Sequence, residues 1–162
     1  MMRDIRGMTA AASLCAGLLM SGAAPAAAQV YGGAQALWGS DSDFGVGGTL
    51  LANIENANLE FAGSFNLFFP DGDDDFWETN ANVFYHFHLS GTPSVLPYLG
   101  GGLNISRLSN GSADTEAGLN LGGGIRFPMA GVSPFIEARA VISDHDQAVL
   151  AFGLIFGHAH GR

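Results

Sequence analysis

The feature that constrains this chain most is a period of two in its apolar residues, sustained from residue 31 almost to the end of the sequence. Successive side chains of a β-strand point to opposite faces, so this period predicts strands, whereas helical spacing persists nowhere. Eight such runs are separated by short stretches of turn-forming residues. They cover Tyr31–Gly39, Phe44–Ile54, Ala57–Phe69, Phe76–Ser90, Val95–Leu108, Thr115–Phe127, Val132–Ser143 and Ala148–Gly157.

The two faces of these predicted strands differ in chemistry. In the fourth run, one face carries the bulky apolar residues Trp77, Val83, Tyr85, Phe87 and Leu89. The other face carries Glu78, Asn80, Asn82, Phe84, His86 and His88. Across the chain this second face mixes glycine and alanine with charged groups, which suits a narrow barrel interior. We therefore expect an eight-stranded antiparallel up-and-down β-barrel with its apolar face outward. The opposite orientation, found in water-soluble barrels, remains the alternative.

The first 28 residues are typical of a secretory signal peptide. Arg3 and Arg6 precede an apolar run, and the stretch 24–28 ends in an Ala-x-Ala site with cleavage expected after Ala28. The sole cysteine, Cys15, lies inside this segment, so the exported chain has no thiol. The predicted domains are a signal peptide at 1–28, a barrel at 29–157 and a tail at 158–162.

The charge of the exported chain excludes one class of function. Removing residues 1–28 lowers the basic residues from 6 to 4 and the acidic residues from 15 to 14, giving a net charge of −10 with no lysine. A nucleic-acid-binding protein needs a basic face that neutralises phosphates. We therefore expect no nucleic-acid partner.

The acidic residues are distributed unevenly among the predicted turns. Every aspartate beyond residue 28 falls near the first, third, fifth or seventh connection, within Ser40–Asp43, Pro70–Asp75, Ser109–Asp114 and Asp144–Asp146. In an up-and-down meander these four connections share one end of the barrel. Trp38, Phe69 and Trp77, all on the apolar face, lie next to that end, where a lipid-facing aromatic belt is expected.

Three sequence stretches resemble the outer-membrane β-barrel family that includes OmpA-like, OmpX-like and opacity-type proteins. They are Pro97–Ser106, Gly118–Pro128 and Ser133–Arg139, and the similarity is firmest over Pro97–Phe156. We expect the barrel to lie in the bacterial outer membrane, in contact with lipopolysaccharide. With the N-terminus in the periplasm, the aspartate-bearing end faces the exterior. The resemblance implies a monomeric barrel inserted by the barrel-assembly machinery. It implies roles from envelope integrity to adhesion and no cofactor.

We expect the charged side chains of the polar face to form an ion-paired network inside the barrel. Its members are Glu60, Glu78, His86, His88, Glu116, Arg126, Glu137 and Arg139. If Phe69 pairs with Trp77, then Glu60 falls opposite His86 and Asn58 opposite His88. A catalytic Glu–His pair with Ser64 is the rival interpretation, although an inward group cannot reach lipid.

Other chemical signals are weak. Asp71–Asp75 resembles the start of a calcium loop, but Asn82 stands where the bidentate glutamate is expected, so a solvated acidic loop is the favoured interpretation. His158 and His160 in the tail make a poor metal site. We therefore predict a non-enzymatic envelope or surface-interaction protein with no metal. The alternatives are a barrel-embedded lipid-modifying enzyme, such as a lipid A deacylase, and a soluble secreted barrel that binds an apolar ligand.

Overall fold

A computed structural model describes residues 29–54, 57–70, 75–89, 91, 94–109, 113–144 and 146–157. The predicted signal peptide and the tail at 158–162 lie outside these residues. The eight strands are β1 (Gln29–Gly39), β2 (Asp43–Ile54), β3 (Leu59–Phe68), β4 (Asp75–His86), β5 (Leu96–Ser109), β6 (Ala113–Arg126), β7 (Val132–Ile142) and β8 (Gln147–Phe156). The predicted number and order of strands are confirmed.

Each strand pairs antiparallel with its neighbours in sequence, and β1 also pairs with β8, which closes the sheet into a barrel. The closing pairs run from Gly32 opposite Phe156 to Gly39 opposite Val149. The first, third, fifth and seventh connections lie at one end, called the aspartate end below. The other end, where β1 begins and β8 finishes, is the termini end.

The apolar face points outward, as predicted. Leu121 and Ile136 expose 59% and 44% of their surface, whereas Glu60 and Glu78 expose none. The soluble-barrel orientation, with the large apolar residues inside and the charges outside, is therefore wrong for this chain.

Glycine on the inward face allows the strands to approach closely. A β-carbon at Gly100 would lie 2.0 Å from the Val83 carbonyl oxygen, and one at Gly102 would lie 2.0 Å from that of Ala81. Real β-carbons do not approach an oxygen so closely, so side chains at these positions would push β5 away from β4. Such close approach is one of the reasons for glycine within a strand.

Two sequence predictions need correction. β3 and β4 pair with Leu67 opposite Trp77, so the register is shifted by two residues and Glu60 lies opposite Phe84. The fourth strand ends at His86, four residues before its predicted end, and His88 is exposed beyond the strand. His88 therefore does not belong to the interior, because strand alternation no longer directs its side chain there.

Candidate functional site

Inward side chains form two polar groups inside the barrel, one nearer each end. The alternation of each strand aims every second side chain at the axis, and eight strands leave a bore just wide enough for side chains. We call the two groups the Glu60 cluster, nearer the termini end, and the Glu78 network, nearer the aspartate end.

The Glu60 cluster is built around a bidentate ion pair. The Arg126 guanidinium donates from Nη1 to Glu60 Oε2 and from Nη2 to Glu60 Oε1, each at 2.8 Å. His86 Nε2 lies 3.4 Å from Glu60 Oε1, at ion-pair distance but without hydrogen-bond geometry. The Arg126 Cζ atom lies 5.6 Å from the centre of the Tyr98 ring, within the range of a cation–π contact. The predicted contact between Glu60 and His86 is thus present, although the residues lie on diagonal rather than opposite positions.

The Glu78 network joins residues of seven strands. The Glu78 carboxylate accepts hydrogen bonds from Asn66 Nδ2 at 2.7 Å, Asn80 Nδ2 at 3.1 Å and Asn104 Nδ2 at 3.2 Å, and it pairs with the Arg139 guanidinium. A carboxylate with no exposed surface needs such donors, because an unpaired buried charge costs several kcal/mol. Five further side chains are hydrogen-bonded to these residues or to one another: Gln35, Ser64, Asn82, Asn120 and Gln147.

Glu137, Arg139 and Tyr98 connect the two groups. Arg139 Nη1 lies 3.8 Å from Glu137 Oε1, and the Tyr98 hydroxyl donates to Glu137 Oε2 at 3.1 Å. A cavity of about 20 Å³ lies between the groups, close to the 10–15 Å³ that one water needs. The interior is therefore occupied by side chains rather than by a continuous pore through the described residues.

A larger cavity of about 230 Å³ opens at the aspartate end. Asp41, Asp114 and Glu116 lie on its rim, and Phe76 and Val141 contribute apolar surface. Glu116 was predicted inside the network, but it is half-buried at this mouth, where Ser143 Oγ donates to Glu116 Oε2 at 3.4 Å. Glu116 is near the start of β6, so it lies closer to the aspartate end than Arg126 and Arg139 do.

The three predicted belt residues all lie on the outer surface next to the aspartate end. Trp38 and Phe69 are 58% and 56% exposed, and Trp77 is half-buried. Phe69 stacks on Phe44 with ring centroids 6.4 Å apart, and Trp77 packs on Phe65 at 5.8 Å. Their function as a lipid-facing belt remains a prediction.

The sequence reasoning missed the structural role of amides and aromatic residues inside the barrel. It assigned the interior network to charged residues, whereas Asn66, Asn80, Asn104 and Asn120 supply much of the hydrogen bonding. Large aromatic residues are also buried there: Tyr31, Phe68, Phe84, Tyr98 and Phe135. The parity of each strand identifies the inward positions, but it does not indicate which amides reach Glu78.

Several sequence candidates fall outside the described residues, namely Cys15, Asp71–Asp74, His158 and His160. Within the described part of the chain, no group of three or more His, Cys, Asp or Glu side chains is placed to hold a metal ion. The same residues contain no helix of sufficient length and hydropathy to cross a membrane.

The chain shares its fold with small eight-stranded outer-membrane barrels. Neisserial surface protein A aligns with a TM-score of 0.61 at 20% identity, over 80% of this chain and 96% of that one. The N-terminal β-barrel domain of Pseudomonas aeruginosa OprF gives 0.63 at 16% identity, over 80% and 98%. Ail, the attachment invasion locus protein of Yersinia pestis, gives 0.53 at 17% identity, over 78% and 93%. No protein-family model matches the sequence, and no curated protein matches it.

Proposed function

We propose that this chain, which has the fold of the small eight-stranded outer-membrane barrels, is a non-enzymatic protein of the bacterial outer membrane. It spans the membrane with a filled interior and presents its aspartate end to the cell exterior. Its function is to support the envelope or to interact with partners at the surface. The barrel acts as a monomer whose walls contact membrane lipid, including lipopolysaccharide, after insertion by the barrel-assembly machinery.

The apolar outer surface is the single observation that carries this proposal. Large apolar side chains are exposed all around the barrel, including Val30 at 66% and Leu103 at 62%. A soluble monomer rarely exposes a contiguous apolar patch of more than a few hundred Å². A lipid environment removes that cost, and a closed barrel is one of the two structures that satisfy the backbone within lipid.

The contents of the bore support a structural rather than a conducting role. The Glu60 cluster and the Glu78 network cross the barrel between opposite walls, and each buried carboxylate is held by an arginine. Opening a passage would require these ion pairs to separate. We therefore propose that the barrel is not a diffusive pore.

The same contacts support a non-enzymatic role. Both oxygens of the Glu60 carboxylate accept hydrogen bonds from Arg126, and His86 and Glu60 are both buried inside the barrel. Ser64 Oγ accepts a hydrogen bond from Asn80 and lies two inward positions away from Glu60 along β3. A general base needs access to its substrate, and a lipid outside the wall cannot reach this pair.

Fractionation with heat-modifiable gel migration tests the proposal. A membrane barrel should sediment with the outer membrane, resist extraction by salt, and migrate differently in boiled and unboiled samples. Recovery in the soluble fraction without detergent would refute the membrane assignment. Mass spectrometry of lipid A from cells with and without the protein tests the non-enzymatic assignment, and loss of an acyl chain only when the protein is present would refute it.

A further inference from the structure

Among the described residues, one arginine on the outer face of the barrel has no carboxylate partner. Arg126 and Arg139 lie inside and are ion-paired. Arg107 is the third arginine of the described residues, and among them it makes no salt bridge or side-chain hydrogen bond. Its neighbours Ser106 and Leu108 line the larger cavity at the aspartate end, so strand alternation directs Arg107 outward.

Arg107 forms a row of hydrogen-bond donors with its two cross-strand neighbours. It is paired directly with Trp77 on β4 and with Thr115 on β6. Directly opposed side chains on one face lie about 5 Å apart, so the indole N–H, the guanidinium and the hydroxyl can converge on one group. We call Trp77, Arg107 and Thr115 the donor row.

The position of the donor row indicates the kind of ligand. Arg107 is two residues from the end of β5 and Thr115 is two residues after the start of β6, so the row lies near the aspartate end. Trp77 is fixed there by its packing on Phe65. Tryptophan and arginine at this depth are typical of the membrane–water interface, where lipid headgroups lie.

The electrostatics of the row favour an external anion. Asp75 is the nearest outward carboxylate in the β4–β5 register, two positions along β4 from Trp77, and no salt bridge joins it to Arg107. An arginine on the lipid side of a barrel is destabilising, most strongly at the midplane and less at the interface, and an anionic partner offsets that cost. The guanidinium fork matches the geometry of a phosphate.

We propose that the donor row binds the phosphate group of an anionic lipid in the leaflet around the aspartate end. Arg107 forms the charge-assisted contact, and Thr115 and Trp77 donate further hydrogen bonds to the phosphate oxygens. This inference rests on the proposed membrane location and names a lipid contact that the outer-membrane assignment alone does not specify. It predicts that one lipid stays with the barrel on purification.

Native mass spectrometry of the full barrel in detergent tests this site. Phosphatidylglycerol and phosphatidylcholine with identical acyl chains are the probes, because only the former carries net negative charge. We expect tighter binding of phosphatidylglycerol, and about tenfold weaker binding of it to Arg107→Gln, since hydrogen bonds to charged groups are the strong ones. Binding of phosphatidylcholine should fall less, because its choline cation offsets the charge of its phosphate.

Two further variants and a control distinguish binding at the donor row from an effect of the protein's net charge. Thr115→Val should weaken phosphatidylglycerol binding about two- to fivefold, and Arg107→Lys should retain an intermediate affinity, because its ammonium lacks the planar fork. Arg162→Gln changes the net charge equally and should leave binding unchanged. Heat-modifiable migration of each variant confirms that the barrel is folded before binding is measured.

Three results would overturn the inference: equal affinity of wild type and Arg107→Gln, an equal loss in Arg162→Gln, or displacement of the lipid by millimolar inorganic phosphate. The last would indicate a site for free anions. These results are independent of cell fractionation, so a barrel that sediments with the outer membrane but fails this test leaves the proposed function intact.

Discussion

Removing Arg126 tests whether the interior is held together by paired charges. In Arg126→Met, the Glu60 carboxylate loses two hydrogen bonds of 2.8 Å and keeps only the 3.4 Å contact with His86. Glu60 is 0% exposed, and a water in the adjoining cavity of about 20 Å³ could donate hydrogen bonds but would not supply the lost positive charge. The expected cost is about 3–5 kcal/mol, the range for leaving one charge of a buried pair uncompensated.

A double-mutant cycle isolates the pair from other effects of the substitutions. Glu60→Leu should also destabilise the barrel, because Arg126 would keep only its contact with the Tyr98 ring and more distant charges. The double variant replaces both charges with apolar groups and should cost less than either single variant, since replacing a whole buried pair is often nearly neutral. An interaction energy of about 3 kcal/mol or more is expected.

Urea unfolding in phosphatidylcholine vesicles, followed by tryptophan fluorescence, gives the required free energies. Trp38 and Trp77 lie on the outer surface near one end and report on loss of the lipid environment. Arg107→Gln is the matched control, because it removes an outward arginine that forms no ion pair with the described residues. It should change stability by less than about 0.5 kcal/mol in this neutral lipid. Additive single-variant costs in the cycle would refute the reasoning.

Three further outcomes are expected. Gly102→Ala should destabilise the barrel by about 1–3 kcal/mol or prevent folding, because its β-carbon would lie 2.0 Å from the Ala81 carbonyl oxygen, whereas Gly48→Ala, with its nearest neighbour at 3.7 Å, should be tolerated in the same unfolding assay. Tyr98→Phe removes the 3.1 Å hydrogen bond to Glu137 and should cost about 1–3 kcal/mol, and an unchanged urea midpoint would contradict that role. Planar bilayers containing the wild-type barrel should show no conductance above background, and stable current steps would contradict a filled bore.

The number of strands and the division of each strand into two faces were predictable from the sequence because they depend on turn residues and local alternation, and the composition of the two faces indicated which one points inward. The period of two assigns Glu78 and Asn80 to one face and Trp77 to the other, without knowledge of any neighbouring strand. The chemistry of the connections also follows from the sequence, since turn-forming residues are recognised individually. Gly100 and Gly102 lie two and four residues after Tyr98 in β5, so alternation likewise places them on its inward face.

Register and strand ends could not be obtained in this way. Shifting β3 by two residues against β4 keeps every side chain on its own face, so the pattern cannot distinguish Leu67 from Phe69 as the partner of Trp77. The end of β4 at His86 depends on pairing with β5, whose partner for His86 is Tyr98. His88 has the inward parity but lies beyond that pairing, which explains why it is exposed.

The sequence by itself determined which residues share a face within each strand, because alternation is a property of each strand alone. The tertiary structure decided which of them meet. Arg126 reaches Glu60 across 66 residues of sequence, and Arg139 reaches Glu78 across 61. Such contacts depend on the stagger of the barrel, which is the offset of the hydrogen-bond register around the closed sheet. The stagger decides which residues of β6 and β7 face those of β3 and β4, and it is set by the pairing of all eight strands together.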